Sequence, residues 1–167
     1  MTRVTLTWAA DFSMGLLEDV VLIDEGIGFM GKEGGIDDDG MMDNMLRFYW
    51  FKHESIKPPL RLEVGRTVCI YDFPVASNLA YAGGRFWVAY MGIPAEEKED
   101  AGLQLMLWSW APGEKTGRLE ALDSPAFGNS HLSLAAIGDR LCLAYHCALD
   151  GYPGTDARIV TVFRKAE

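Results

Sequence analysis

The strongest constraint in this sequence is an internal repetition. Segments 20–30, 79–91 and 134–146 each read as an apolar run, a two-residue turn and a second apolar run. The turns are Asp24-Glu25, Gly83-Gly84 and Gly138-Asp139, residue types that close tight β-hairpins. A repeated unit of this kind covers its apolar faces with its neighbours, so the repeat decides the architecture before any motif does.

A polar loop and a third run follow each hairpin, at 46–52, 103–109 and 158–164. Phe48, Leu105 and Val160 align there, followed two residues later by Trp50, Leu107 and Val162, which is the spacing of one strand face. A fourth run appears in two copies, Arg61-Leu62-Glu63-Val64 and Arg118-Leu119-Glu120-Ala121. The third copy reaches Glu167 without one, but the run Arg3-Val4-Thr5-Leu6-Thr7-Trp8 has no hairpin of its own. It leads into Asp11-Phe12-Ser13 much as the first copy leads into Asp72-Phe73-Pro74. This N-terminal run is expected to complete the last sheet and hide its edge.

The fold class expected is therefore all-β: one domain over 1–167, with four-stranded antiparallel propeller-like sheets at 9–64, 72–122 and 123–167 plus 3–8. Glycine hairpins, β-branched and aromatic runs and Pro58-Pro59 oppose helices, and 14–21 is at most one helical turn. Three sheets are fewer than a propeller ordinarily closes with. A triangular prism around one core, preferred for a lone chain, and half of a six-bladed ring formed by a homodimer are the two arrangements expected.

Two stretches carry a family resemblance: Leu134-Ala135-Ala136-Ile137-Gly138-Asp139-Arg140-Leu141-Cys142-Leu143-Ala144-Tyr145 and Leu79-Ala80-Tyr81-Ala82-Gly83-Gly84-Arg85-Phe86-Trp87-Val88-Ala89-Tyr90. Both resemble blades of sialidase-like β-propellers. The Asp box of that family, SxDxGxTW, is absent, and no arginine cluster matches its carboxylate-binding triad. What the resemblance implies is a blade fold, with carbohydrate binding or glycoside processing as the alternative function.

Composition narrows the partners. The formal net charge is −9, which opposes nucleic acid, because phosphate binding needs clustered Lys and Arg. No run is long enough to span a membrane and none resembles a secretory signal, so a cytoplasmic location is expected. Cys69, Cys142 and Cys147 are odd in number and fit no zinc spacing, which suits reduced thiols; a Cys142–Cys147 disulfide is the minor alternative.

Antiparallel connection places the loops between second and third strands on the same rim as the segments between sheets. The first set is acidic in every copy: Asp37, Asp38, Asp39 and Asp43 in 34–44; Glu96, Glu97, Glu99 and Asp100 in 94–102; Asp150 and Tyr152 in 149–156. Ser77, Asn78, Asn129, Ser130 and His131 join them, with Asp11, Asp72, Asp123 and Ser124. On the opposite rim Lys52, Lys57 and Lys115 offset Glu54 and Glu114. A one-signed rim steers cationic partners.

Catalytic patterns are missing. Asp37-Asp38-Asp39-Gly40 resembles a calcium loop only in its carboxylates, since Gly35 stands where the first EF-hand ligand belongs. His53, His131 and His146 have no zinc spacing, and Ser130 and His131 point oppositely on an extended chain. Trp87, Trp108 and Trp110 are sugar-stacking candidates, but burial between sheets fits them better. The sequence thus predicts a non-enzymatic protein without metal or cofactor, binding a basic protein partner, as the inhibitor or immunity protein of a toxin does.

Overall fold

A computed structural model describes residues 16–36, 42–53, 59–69, 78–92, 104–122, 132–148 and 157–166. Their regular structure is entirely β. The first sheet holds β1 (Leu16–Ile23), β2 (Gly26–Ile36), β3 (Met42–Lys52) and β4 (Leu60–Cys69). The second holds β5 (Asn78–Ala82), β6 (Arg85–Gly92), β7 (Gln104–Trp110) and β8 (Arg118–Leu122). β9 (Leu132–Ile137), β10 (Arg140–Ala148) and β11 (Ala157–Lys165) form the third. Each sheet is an antiparallel meander in chain order, of four, four and three strands among the described residues. The run at 3–8 lies outside them.

The hairpins fall where the turn residues put them, with Ile23 opposite Gly26, Ala82 opposite Arg85 and Ile137 opposite Arg140. Gly83 and Gly138 have φ of 59° and 63°, the left-handed region that glycine enters without a side-chain clash. Elsewhere the expectations need correcting. Residues 16–21, given at most a helical turn, belong to β1, because pairing with β2 outweighs local preference. β2 and β3 also extend beyond the expected hairpin, pairing as far as Ile36 and Met42.

The hairpins also correct the repeat alignment. Counting from Gly26, Arg85 and Arg140, the residues facing Met30, Ala89 and Ala144 are Phe48, Leu107 and Thr161. Leu105 is therefore displaced by two residues and Val160 by one. The matching tetrads are not equivalent either. Tyr49 pairs with Arg61, whereas the equivalent Trp108 pairs with Leu119. Arg61 and Arg118 consequently point to opposite faces.

Among the described residues the buried apolar clusters form two layers, one on each face of the second sheet, where a prism would share a single core. Leu79, Phe86, Val88, Tyr90, Met106, Trp108 and Trp110 pack against Met30, Leu46, Phe48, Trp50 and Val64 of the first sheet. Trp87, Met91, Leu105 and Leu107 pack against Leu132, Leu134, Leu141, Leu143 and Tyr145 of the third. Every residue of β6 is buried, as a strand covered on both faces requires. The expectation that Trp87, Trp108 and Trp110 are buried between sheets holds, and β7 is apolar on both faces, with Leu105 and Leu107 in one layer and Trp108 and Trp110 in the other.

Close contacts fix how the sheets lie on one another. Tyr90 donates its hydroxyl hydrogen to the Val64 carbonyl at 3.2 Å, and a β-carbon on Gly65 would collide with that hydroxyl. Burial pushes the Tyr90 phenol well above its usual range, keeping it a donor. Gly65→Ala is expected to destabilise by about 1–3 kcal/mol through overpacking, and Tyr90→Phe by about 1 kcal/mol through the lost hydrogen bond. Urea midpoints of the double variant should show less than the sum, because removing the hydroxyl takes away the closest part of the collision, although the ring carbon that carried it still crowds a β-carbon on Gly65.

Candidate partner-binding rim

The loops singled out in the sequence leave from strand ends that the structure describes. Ile36, Met42 and Cys69 lie side by side at one end of the first sheet. Gly92 faces Gln104 and Leu105 faces Leu122 in the second sheet, and Ala148 faces Ala157 in the third. The loops at 37–41, 93–103 and 149–156, and the inter-sheet segments at 70–77 and 123–131, all run from these ends.

Inter-sheet contacts join like ends. At the loop end, a β-carbon on Gly92 would lie 2.6 Å from the Arg66 carbonyl oxygen. At the turn end, the Gly83 turn of the second sheet sits against Ala166, which follows β11 of the third. The described strand ends that root the three acidic loops therefore share one side of the stack.

The acidic residues themselves fall differently from the expectation. Asp37, Asp38, Asp39, Glu96, Glu97, Glu99, Asp100, Asp150 and Tyr152 lie outside the described residues. So do Ser77, Asn129, Ser130 and His131, together with the aspartates of the inter-sheet segments. Two of the expected loop residues are strand residues: Asp43 pairs with Gly35 and Val68, and Asn78 opens β5 opposite Ala89. The first acidic loop is thus shorter than 34–44, because its glycines continue the ladder.

The described polar cluster sits at the opposite end, in a place the sequence did not signal. Arg85, just after the Gly83-Gly84 turn, is buried and grips Glu114 in the β7–β8 connection with two hydrogen bonds of 2.8 Å. Glu114 also accepts from the Ala111 amide at 3.0 Å and from Arg118 at 2.9 Å, and its carbonyl accepts from the Trp110 indole. The Arg85 hydrogen bond, then the Ala111 amide, hold the Glu114 carboxyl down at about 2. An acid expected to be balanced loosely by lysines is instead a structural anchor.

The same position differs in the other sheets. The amides of His53 and Ala166, each one residue past the third strand, donate to the turn carbonyls of Glu25 and Asp139. In the second sheet Ala111 gives its amide to the Glu114 carboxylate. In hairpin register the residue equivalent to His53 and Ala166 is Pro112, which has no amide hydrogen to donate, so the Glu114 carboxylate holds the preceding amide instead.

The other candidate chemistries lose their geometry. Trp50, Trp87, Trp108 and Trp110 are buried, and Trp87 donates its indole hydrogen to the Ala82 carbonyl at 3.0 Å, so none offers a face to a sugar. Between the second and third sheets is a cleft of about 40 Å³ lined by Leu107, Leu122, Leu134, Leu141, Leu143 and Arg164. That volume suits a water molecule or two, not a saccharide. Cys142 is a free thiol. Cys147 lies five residues along the same strand, about 16 Å away, so the alternative disulfide is ruled out. His146 belongs to β10, and no metal-holding group of His, Cys, Asp or Glu occurs among the described residues.

No protein-family model, curated protein or solved structure matches this chain.

Proposed function

We propose that this chain is a non-enzymatic binding protein whose acidic loop rim captures a basic protein partner. The observation that carries the reading is that three successive sheets turn like ends to one side, and each sends an acidic loop from that side. Each loop is net negative, with Lys98 a lone cation among Glu96, Glu97, Glu99 and Asp100, on connections that leave from paired strands. Such a rim accelerates capture by long-range attraction. An inhibitor or immunity protein that covers the basic surface of a toxin fits this chemistry, in a reducing compartment that leaves the Cys142 thiol free.

The arrangement behind the rim is read as propeller-like. Each of the two packed interfaces joins one face of a sheet to the opposite face of the next, as blades do; the run at 3–8, expected from the sequence to complete the third sheet, lies outside the described residues. The sialidase-like resemblance supports a blade of this type. Its carbohydrate alternative finds no stacking face on Trp50, Trp87, Trp108 or Trp110, which are buried.

The experiment is a pull-down from the source cell with the natural chain and with Glu96→Lys, Glu97→Lys and Asp100→Lys combined. The natural chain should retain basic proteins and release them as salt rises, since exposed charges are screened beyond about 10 Å at 0.1 M. The reversed chain should retain fewer of them, with a flatter salt dependence. Retention of the same proteins at the same salt by both would overturn the proposal.

A further inference from the structure

The two sheet interfaces are repeats of one contact, and the chain carries both halves of a third, unmade one. Where the first strands meet, Val21 and Ile23 of β1 face the second sheet, against the cluster that contains Leu79 and Tyr81 of β5. At the next interface Ala80 and Ala82 of β5 share a cluster with Leu134 of β9. In hairpin register, Val20 and Leu22 stand at the positions of Leu79 and Tyr81, while Ala135 and Ile137 stand at those of Val21 and Ile23. Both halves of this third contact are therefore apolar.

Both are also open. Leu22 is 68% exposed, Val20 41% and Ile137 62%, whereas Leu79 at the position of Val20 is buried. Phe163 repeats the pattern on the third strand. It occupies the position of Trp50, which packs against Phe86 and Trp110 at 5.3 and 6.0 Å, yet Phe163 is 65% exposed. Large apolar residues in three registers of an interface left in water mark a contact made elsewhere.

We propose that a second copy of this chain fills the contact, the β9 side of one copy docking on the β1 side of the other. The occupant follows from continuity with the existing interfaces. The face that β9 offers is the one by which the first and second sheets already pack onto their successors, and the face that β1 offers is the one that receives. Self-closure is excluded by the exposure of Leu22, Ile137 and Phe163 within a single chain. Deeper on the receiving face Phe29 and Tyr49 are already buried and stacked at 5.0 Å, so the docking strip is the β1 side. Two copies joined head to tail this way make two identical contacts and close as a ring of six sheets. This inference rests on the serial packing of the sheets and stands independently of the acidic rim.

The mass of the full chain in solution tests it, by sedimentation across micromolar to sub-millimolar concentration. The expected species is twice 18.5 kDa. Leu22→Glu and Ile137→Glu should each abolish the dimer while leaving the circular-dichroism spectrum unchanged, since both side chains are exposed. Leu119→Glu, at an exposed apolar residue on β8 outside the strip, should leave the dimer intact. A monomeric natural chain, an open series of larger species, or a dimer that withstands either Leu22→Glu or Ile137→Glu would overturn the proposal.

Discussion

Replacing Trp108 with alanine is expected to lower the stability of this protein by about 3–5 kcal/mol, the cost of deleting a large aromatic from a packed core. Trp108 is fully buried between the first and second sheets, with its ring centre 5.4 Å from that of Phe48. Gly117 lies against its indole so closely that no β-carbon fits between them. Phe48 is held in β3 by pairing with Met30 and Leu62 on either side, and Gly117 directly precedes β8, so neither can close the void alone. A domain of this size is worth about 5–15 kcal/mol in total, and the melting temperature should fall by roughly 10 °C. A loss under about 1 kcal/mol would mean that these sheets do not pack face to face.

Glu114→Gln is expected to cost about 2–3 kcal/mol, because it leaves the buried Arg85 guanidinium without its counter-charge while the desolvation penalty remains. The effect depends on pH in a defined direction. The Glu114 carboxyl is lowered from 4.5 to about 2 in the folded protein, so its contribution is present in full above about 4.5 and is lost as pH falls toward 2. Urea midpoints of the natural chain and of Glu114→Gln should differ at neutral pH and converge through that acidic window. Glu120→Gln serves as the comparison. Its ion pair with Arg164 is short at 2.6 Å but half-exposed on both sides, and surface pairs contribute about 0–1 kcal/mol. Equal losses for both variants would remove the special role of the Arg85 clamp.

How much of this could be read from the sequence is clearest at particular residues. The apolar runs broken by Gly83-Gly84 and Gly138-Asp139 specify hairpins on their own, since turn chemistry and alternation are local. Leu105 and Leu107 against Trp108 and Trp110 announced a strand covered on both faces for the same reason. The alignment between copies was less legible. Arg61-Leu62-Glu63 and Arg118-Leu119-Glu120 look alike, yet a bulge between Leu46 and Arg47 shifts the pairing of β4 and turns the two tetrads to opposite faces. One inserted residue is invisible in composition but reverses every side chain after it.

The candidate rim divides in the same way. That acidic loops follow the second strand of each copy is a property of chain order, and the described ends of all three sheets agree with it. That the first loop is shorter than it reads, with Asp43 and Gly35 in the ladder, depends on hydrogen bonds across strands. Glu114 was legible only as an acid in a turn. Its partners Arg85 and Arg118 come from the two strands on either side of β7, and the separation of 29 residues between Arg85 and Glu114 leaves no local signal.

The sequence by itself determined the hairpins, the all-β class and the positions of the acidic loops, because turn residues and two-residue alternation act between near neighbours. The tertiary structure decided which face of each sheet meets which. It produced two apolar layers instead of one core and placed Glu114 under Arg85. It also left Leu22, Ile137 and Phe163 uncovered. Those outcomes depend on register and on stacking between sheets, where contacts join residues far apart in the chain and a shift of one position changes the partner.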